Sequence, residues 1–293
     1  MPVSALASPS ATRSVLESHG LSLKKSLGQH FLVDDNIVRK IIELAAVAPG
    51  EPVLEVGPGI GTLTVALCDV AGYVVAVERD TDLLPVLTDV AQGRDNLAIV
   101  RADAVAVAIS ELATPLGPPV ALVANLPYGV AATVLLRLFQ ELPSLRSATV
   151  MVQAEVAARM AAEPGRKDYG AYTVKLRMHA VPVGSFGVPR ACFMPPPHVD
   201  STVLRLERVR RDEPADLRRE AECLADAAFA QRRKTLRNSV LASTGWPGDA
   251  LDRALSCAGI DGRRRAETLS VDEFVALASV AVSEGLRSCE KGL

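Results

Sequence analysis

"PVLEVGPGIGTLT", residues 52–64, decides the fold. A short apolar run typical of a buried strand leads into Gly57, Gly59 and Gly61, and a helix-forming stretch follows. Glycines at such a junction let the backbone turn sharply and come close to a ligand at the start of the next helix. From there onward short apolar runs alternate with longer amphipathic ones, the pattern of a parallel sheet with crossover helices. The strands predicted are Val53–Val56, Tyr73–Val77, Leu97–Arg101, Val120–Ala124 and Thr149–Gln153. The helices predicted between and after them are Leu63–Val70, Thr81–Val90, Ala131–Glu141 and Ala154–Ala162. Two later apolar runs, near Tyr172–Val183 and Thr202–Val209, have no helix between them and are joined through "PPP" (195–197). They predict a hairpin added to the edge of the sheet.

After Val209 the character changes. "RRDEPADLRRE" (210–220) reads as a charged linker, and the remainder as helices punctuated by Gly and Pro. The expected organisation is α/β: a disordered tail over 1–20, rich in Ala and Ser, a Rossmann-like sheet domain over 21–209, and a smaller all-helical domain over 210–293. Hydrophobic residues make up 49% of the 293, yet no stretch reaches the roughly 18 uncharged apolar residues of a membrane span. With no basic, apolar leader at the start either, a cytoplasmic protein with no membrane partner is expected. The five cysteines form no C-x-x-C pair and the four histidines have no ligand spacing, so reduced thiols and no metal are expected. Nothing in the sequence demands more than a monomer.

The glycine loop does not fit a dinucleotide, because G-x-G-x-x-G/A would need Gly or Ala where Thr62 stands. The spacing is E-x-G-x-G-x-G from Glu55, typical of enzymes that use S-adenosylmethionine (SAM) on a Rossmann-like sheet. The next strand ends at Glu78 in "AVERD", where a carboxylate can accept hydrogen bonds from both ribose hydroxyls. One strand later "VRADAV" puts Asp103 at the tip, able to accept from an adenine amino group, with the Ala104 amide close by. Gly57, Gly59, Glu78, Asp103 and Ala104 are thus the candidate cofactor residues.

The fourth tip is "VANLPYGVA" (123–131), the [DN]-[PIL]-P-[YF] pattern of enzymes that methylate exocyclic amines. Such an amine is a poor nucleophile because its lone pair is delocalised into the ring. If the Asn125 side-chain oxygen and the Leu126 carbonyl accept its two protons, the nitrogen moves toward tetrahedral geometry and its lone pair is freed. Tyr128 would stack on the base, and Pro127 would fix the turn. A cytosine-C5 mechanism would need a nucleophilic Pro-Cys pair, and the chain has none. The tetrapeptide does not separate adenine N6 from cytosine N4, or RNA from DNA.

"LGQHFLVDDNIV", "EVGPGIGTLT", "VERD", "ADAV", "NLPYGVA", "FMPPPHVDS", "FAQRRKTLRNS" and "RAETLS" occur in order from about residue 20 to 280. Together they resemble the small-subunit ribosomal RNA adenine N6-dimethyltransferases of the KsgA type. The resemblance implies transfer of two methyl groups from SAM to N6 of each of two adjacent adenosines near the 3′ end of small-subunit rRNA, with an assembled ribosomal particle as substrate. It implies cofactor contacts at His30, Leu32, Gly57, Glu78, Asp103 and Asn125, and target-base contacts at Asn125, Leu126 and Tyr128. Phe193 matches an aromatic that would cover the base from its other side. His30, Gly129, Ala131 and His198 depart from the usual residues at those places. Arg232, Arg233, Lys234 and Arg237 are expected on one side of a helix, facing rRNA phosphates, and Lys24 and Lys25 form a second basic stretch. Two rivals stand beside this reading: a large-subunit rRNA adenine methyltransferase of the antibiotic-resistance type, and a ribosome-assembly factor with little catalytic role. A nicotinamide dehydrogenase is disfavoured by Thr62.

Overall fold

The computed structural model describes residues 3–21 and 29–289. Lys24 and Lys25 lie outside them. The chain divides into two units, Met1–Ala157 with Pro182–Arg208, and Ala158–Val181 with Val209–Leu293.

The first unit is built on β2 (Pro52–Val56), buried along its whole length. Parallel neighbours cover both its edges, β3 (Tyr73–Glu78) on one side and β5 (Ala121–Asn125) on the other. Central strands buried on both faces read as continuous Val and Leu runs, which is why these segments were recognisable. β4 (Leu97–Arg101) pairs with β3, and β6 (Ser147–Gln153) with β5. The chain leaves β2 toward β4 and then returns to β5 on the opposite side. The order reverses there, and ligands of open α/β sheets bind at such a reversal, beyond the carboxyl ends of the strands.

Beyond β6 the sheet takes up β7 (Ala180–Val188) and β9 (Ser201–Arg208), in the overall order β4-β3-β2-β5-β6-β9-β7. β9 runs antiparallel to β6 and lies between it and β7. The predicted strand near Tyr172 is instead helix α7 (Ala171–Arg177), and the strand begins only at Ala180. Gly170 starts that helix, and the Thr173 hydroxyl accepts from the Gly170 N–H and donates to the Arg159 carbonyl. The helix predicted over Thr81–Val90 is a 3₁₀ turn, Thr81–Leu83, followed by α4 (Leu84–Ala91). Pro85 stands in the first turn of α4, where its missing N–H costs nothing. Helices α2 (Asp35–Ala45), α3 (Thr62–Val70) and α5 (Ala131–Glu141) complete the covering layers.

The tail expected to be disordered carries helix α1 (Pro9–Ser18). Ser8 caps it by accepting the Ala11 N–H, and Pro9 sets its first turn. Leu16 is buried with Phe31, Ile60, Leu83 and Val86, and the Ser4 N–H is donated to Asp35 Oδ1 at 2.8 Å. The Ala- and Ser-rich composition masked a short helix held by contacts distant in sequence.

The second unit is helical: α7, α8 (Ala215–Phe229), α9 (Leu236–Thr244), α10 (Gly248–Cys257) and α11 (Val271–Ser283). Leu224, Leu236, Val240, Leu251, Phe274 and Leu277 form its core. Tyr169 belongs to that core, fully buried, with its hydroxyl donated to the Leu269 carbonyl at 2.9 Å. Residues 158–181 therefore belong to this unit, whereas the sequence pattern predicts one continuous sheet domain over 21–209. Cys223 and Cys289, expected as free thiols, are joined by a disulfide. Sixty-six residues separate them, too far for sequence spacing to reveal the pair.

Candidate active site

A cavity of about 510 Å³ opens at the carboxyl ends of β2, β3, β4 and β5. It is lined by His30, Leu32, Gly57, Gly59, Glu78, Asp103, Ala104, Asn125, Leu126 and Tyr128, the candidate residues of the sequence analysis, which lie far apart along the chain. Its volume suits a cofactor-sized ligand.

The glycine wall is shaped by left-handed backbone. Gly57 has φ +69°, and a Cβ there would sit 3.3 Å from the ring of Pro127. Gly59 has φ +62°, and a Cβ would sit 3.2 Å from the ring of Phe31. Side chains at either place would push the tetrapeptide or the N-terminal strand away from the cavity. The Gly59 N–H is donated to Glu78 Oε2 at 3.3 Å, and the Asp80 N–H to Oε1 at 2.7 Å. Glu78 is buried, and burial pushes its carboxyl above the ordinary range while the Asp80, Gly59 and Arg79 amides hold it down. Two fixed donors aim both oxygens yet leave lone pairs for a ligand's hydroxyls. Asp103 accepts from the Val105 N–H at 3.0 Å and pairs with Arg79 at 3.1 Å.

Behind this wall Glu55 is 1% exposed, and its Oε2 has no hydrogen-bond partner among the described residues. Burial raises its carboxyl to about 8; Thr64 beside it opposes the rise and the Glu78 charge adds to it. In the sequence Glu55 stands out only as the first residue of the glycine motif. Its full burial follows from its place in a central strand whose two faces are both covered.

Asn125 is the last residue of β5. Its Nδ2 donates to the His30 carbonyl at 3.2 Å. That bond commits the donor side of the amide to the protein and leaves Oδ1 to accept from a ligand. Leu126 is fixed by its buried side chain and by its N–H, donated to the Met151 carbonyl at 3.1 Å. Tyr128 is half-buried and stacks on His30, with ring centroids 5.6 Å apart and planes at 26°.

Phe193, expected over the base, is 2% exposed and packs in the core with Leu32 and Cys192. It forms β8 (Phe193–Met194), which pairs with β1 (Phe31–Leu32). It supports the strand beneath the cavity and does not line it.

In the helical unit Arg232, Arg233 and Lys234 lie on the turn between α8 and α9, and not on a helix. Thr235 caps α9 by accepting the Asn238 N–H, so helix begins only at Leu236. Arg232 donates to the Lys167 and Tyr169 carbonyls, and Arg237 forms a two-pronged pair with Asp252 at 2.6 and 2.9 Å. Arg233 and Lys234 are exposed, with no ion-pair partner among the described residues. Among those residues no cluster of His, Cys, Asp or Glu could hold a metal, and no helix is long and apolar enough to cross a membrane.

The motifs and the cavity agree with what the chain is similar to. Residues 20–282 match the family described as Ribosomal RNA adenine dimethylase. The chain belongs to that family. It is 44% identical over 292 residues to the Ribosomal RNA small subunit methyltransferase A of Pelotomaculum thermopropionicum, which covers 96% of this chain and 98% of that one. Among solved structures it is similar to a dimethyladenosine transferase from Plasmodium falciparum, with TM-score 0.75, 25% identity, and coverage of 88% of this chain and 99% of that one. The 23S rRNA methyltransferase ErmE follows with TM-score 0.64, 29% identity, and coverage of 85% and 98%. Rossmann-like architecture and SAM as methyl donor are features of these adenine dimethylases, and the donor set here fits SAM. Glu78 suits vicinal hydroxyls, Asp103 an exocyclic amine, and the apolar side chains of Val56, Leu63 and Val77 a purine ring and thioether stem.

Proposed function

We propose that this adenine dimethylase acts on small-subunit rRNA, methylating N6 of two adjacent adenosines near its 3′ end within the assembled particle, as a cytoplasmic monomer. SAM, when bound, supplies an electrophilic methyl group. Glu78 and Asp103 would hold its nucleoside end and the glycine wall would admit its chain. The observation that carries the chemistry is the Asn125 amide, whose nitrogen is tied to His30 O and whose oxygen is left to accept.

Asn125 Oδ1 and the Leu126 carbonyl would grip the two N–H groups of the target amine, and Tyr128 would stack on the flipped base. The nitrogen loses its conjugation with the ring as charge develops on it, so these acceptors bind the transition state more strongly than the ground state. After each transfer the methylated nitrogen carries a positive charge and sheds a proton readily. No strong base is needed beside it. Arg233 and Lys234 would meet phosphates, and Arg232 and Arg237 would act only by shifting from their present partners.

The 44% identity to a small-subunit enzyme over nearly the whole chain, against 29% to ErmE, supports the small-subunit substrate over the large-subunit one. Incubation with labelled SAM and unmethylated small-subunit particles, with primer extension on both rRNAs, tests the proposal. Asn125→Ala is expected to lose methyl transfer while particle binding persists. Retained turnover would remove Asn125 from its role, and label on the large-subunit rRNA would transfer the enzyme to the other class.

A further inference from the structure

Tyr128 carries a hydroxyl that stacking does not need. A phenylalanine ring presents the same face to a base, and the tetrapeptide pattern admits either residue. In this chain the hydroxyl is engaged: Tyr128 Oη lies 2.7 Å from Ser201 Oγ. Ser201 is 1% exposed and opens β9, where the ladder sets it opposite Gln153 of β6. β6 also pairs with β5 on its other edge, with Met151 opposite Asn125. The serine is therefore anchored to the same strand that anchors the catalytic asparagine.

Tyr128 itself sits on the irregular stretch after β5, where ring torsions would otherwise be free. Its other restraint is the stack on His30. That imidazole is fixed in turn, because Nδ1 lies 2.7 Å from the Pro195 carbonyl, an acceptor only, so Nδ1 carries the hydrogen. One side of the phenol is set by a clamped ring and its tip by a buried hydroxyl.

We propose that Ser201 is a positioning residue for methyl transfer, holding the Tyr128 ring in the plane in which the target base stacks. It rests on the function proposed above. Removing the Ser201 hydroxyl leaves the ring in place but lets it swing, so fewer bound particles present a correctly placed base. The loss falls on kcat and leaves cofactor affinity alone.

The test is a double-mutant cycle on unmethylated small-subunit particles, with SAM affinity measured in parallel. Ser201→Ala is expected to lower kcat about fivefold, the worth of one neutral hydrogen bond, with SAM affinity unchanged. Ser201→Thr should recover most of the loss. Tyr128→Phe should show a similar drop, and adding Ser201→Ala to it should cost less than a further twofold. Full additivity in that background, or a Ser201→Ala enzyme within twofold of wild type, overturns the proposal. Should Ser201→Ala fail to fold, Tyr128→Phe decides, since an unchanged kcat also overturns it. A wild-type enzyme that leaves the particle unmethylated refutes the underlying function instead.

Discussion

Replacing Glu55 by Gln tests how deeply the wall of the site is buried. A carboxyl raised from its ordinary 4.5 to about 8 keeps its proton in the folded chain at pH values where the unfolded chain has lost it. Below pH 4.5 both states are protonated and nothing is lost. Between there and about 8 the folded state binds the extra proton, so stability falls as pH rises, and above about 8 the loss levels off. At about 1.4 kcal/mol per pH unit, the full penalty is roughly 5 kcal/mol, of which ~3 kcal/mol is already present at neutral pH. That is a large share of the roughly 5–15 kcal/mol that holds a domain together. Glutamine keeps the shape and cannot ionise. Its advantage over the wild type should therefore grow by roughly 4 kcal/mol between about pH 5 and about pH 8.5. The only tryptophan, Trp246, packs in the helical unit, so fluorescence would watch the wrong unit. Amide hydrogen exchange in β2 and β3, corrected for intrinsic pH dependence, reads the sheet directly. Parallel profiles for the two proteins, within about 1 kcal/mol, would mean that water or a partner reaches Glu55 and that the argument from burial is wrong.

Glu78→Gln should weaken SAM binding about tenfold to a hundredfold by calorimetry, since a charged acceptor is replaced by a neutral one with half the lone pairs. Because burial raises the Glu78 carboxyl, wild-type SAM affinity should also decline as pH falls through that raised value, and the decline should vanish in the variant. Arg233→Ala with Lys234→Ala should reduce the slope of log affinity for the particle against log salt by about 2, one for each phosphate contact. The same substitutions at Arg232 and Arg237 should lower stability as well, because those side chains hold carbonyls and a carboxylate of their own unit.

The central sheet was legible because β2, β3 and β5 are buried along nearly their whole lengths and read as unbroken apolar runs with a candidate site residue at each tip. Asn125, Glu78 and Asp103 followed from their place at strand ends. What escaped prediction was decided by contacts distant in sequence. Leu16 stabilises α1 only by meeting Phe31, Ile60 and Leu83. The run from Tyr172 supports strand or helix equally well until Gly170 and Thr173 are seen closing a turn. Phe193, expected from the resemblance to cover the base, is a core residue in the fold, where it pairs with Leu32 across β1–β8. The "QRRK" run looks helical by composition, but a threonine cap starts the helix after it.

The insertion of β9 between β6 and β7 bears on how the chain is made. Synthesis runs from the amino end, so β2 through β6 leave the ribosome while the strand that will cover β6 is still to come. Until residue 208 has emerged, β6 offers a row of unsatisfied amides and carbonyls that a neighbouring nascent chain could bind. Stalling or truncation before that point would leave the β6 edge bare and prone to pairing with another chain.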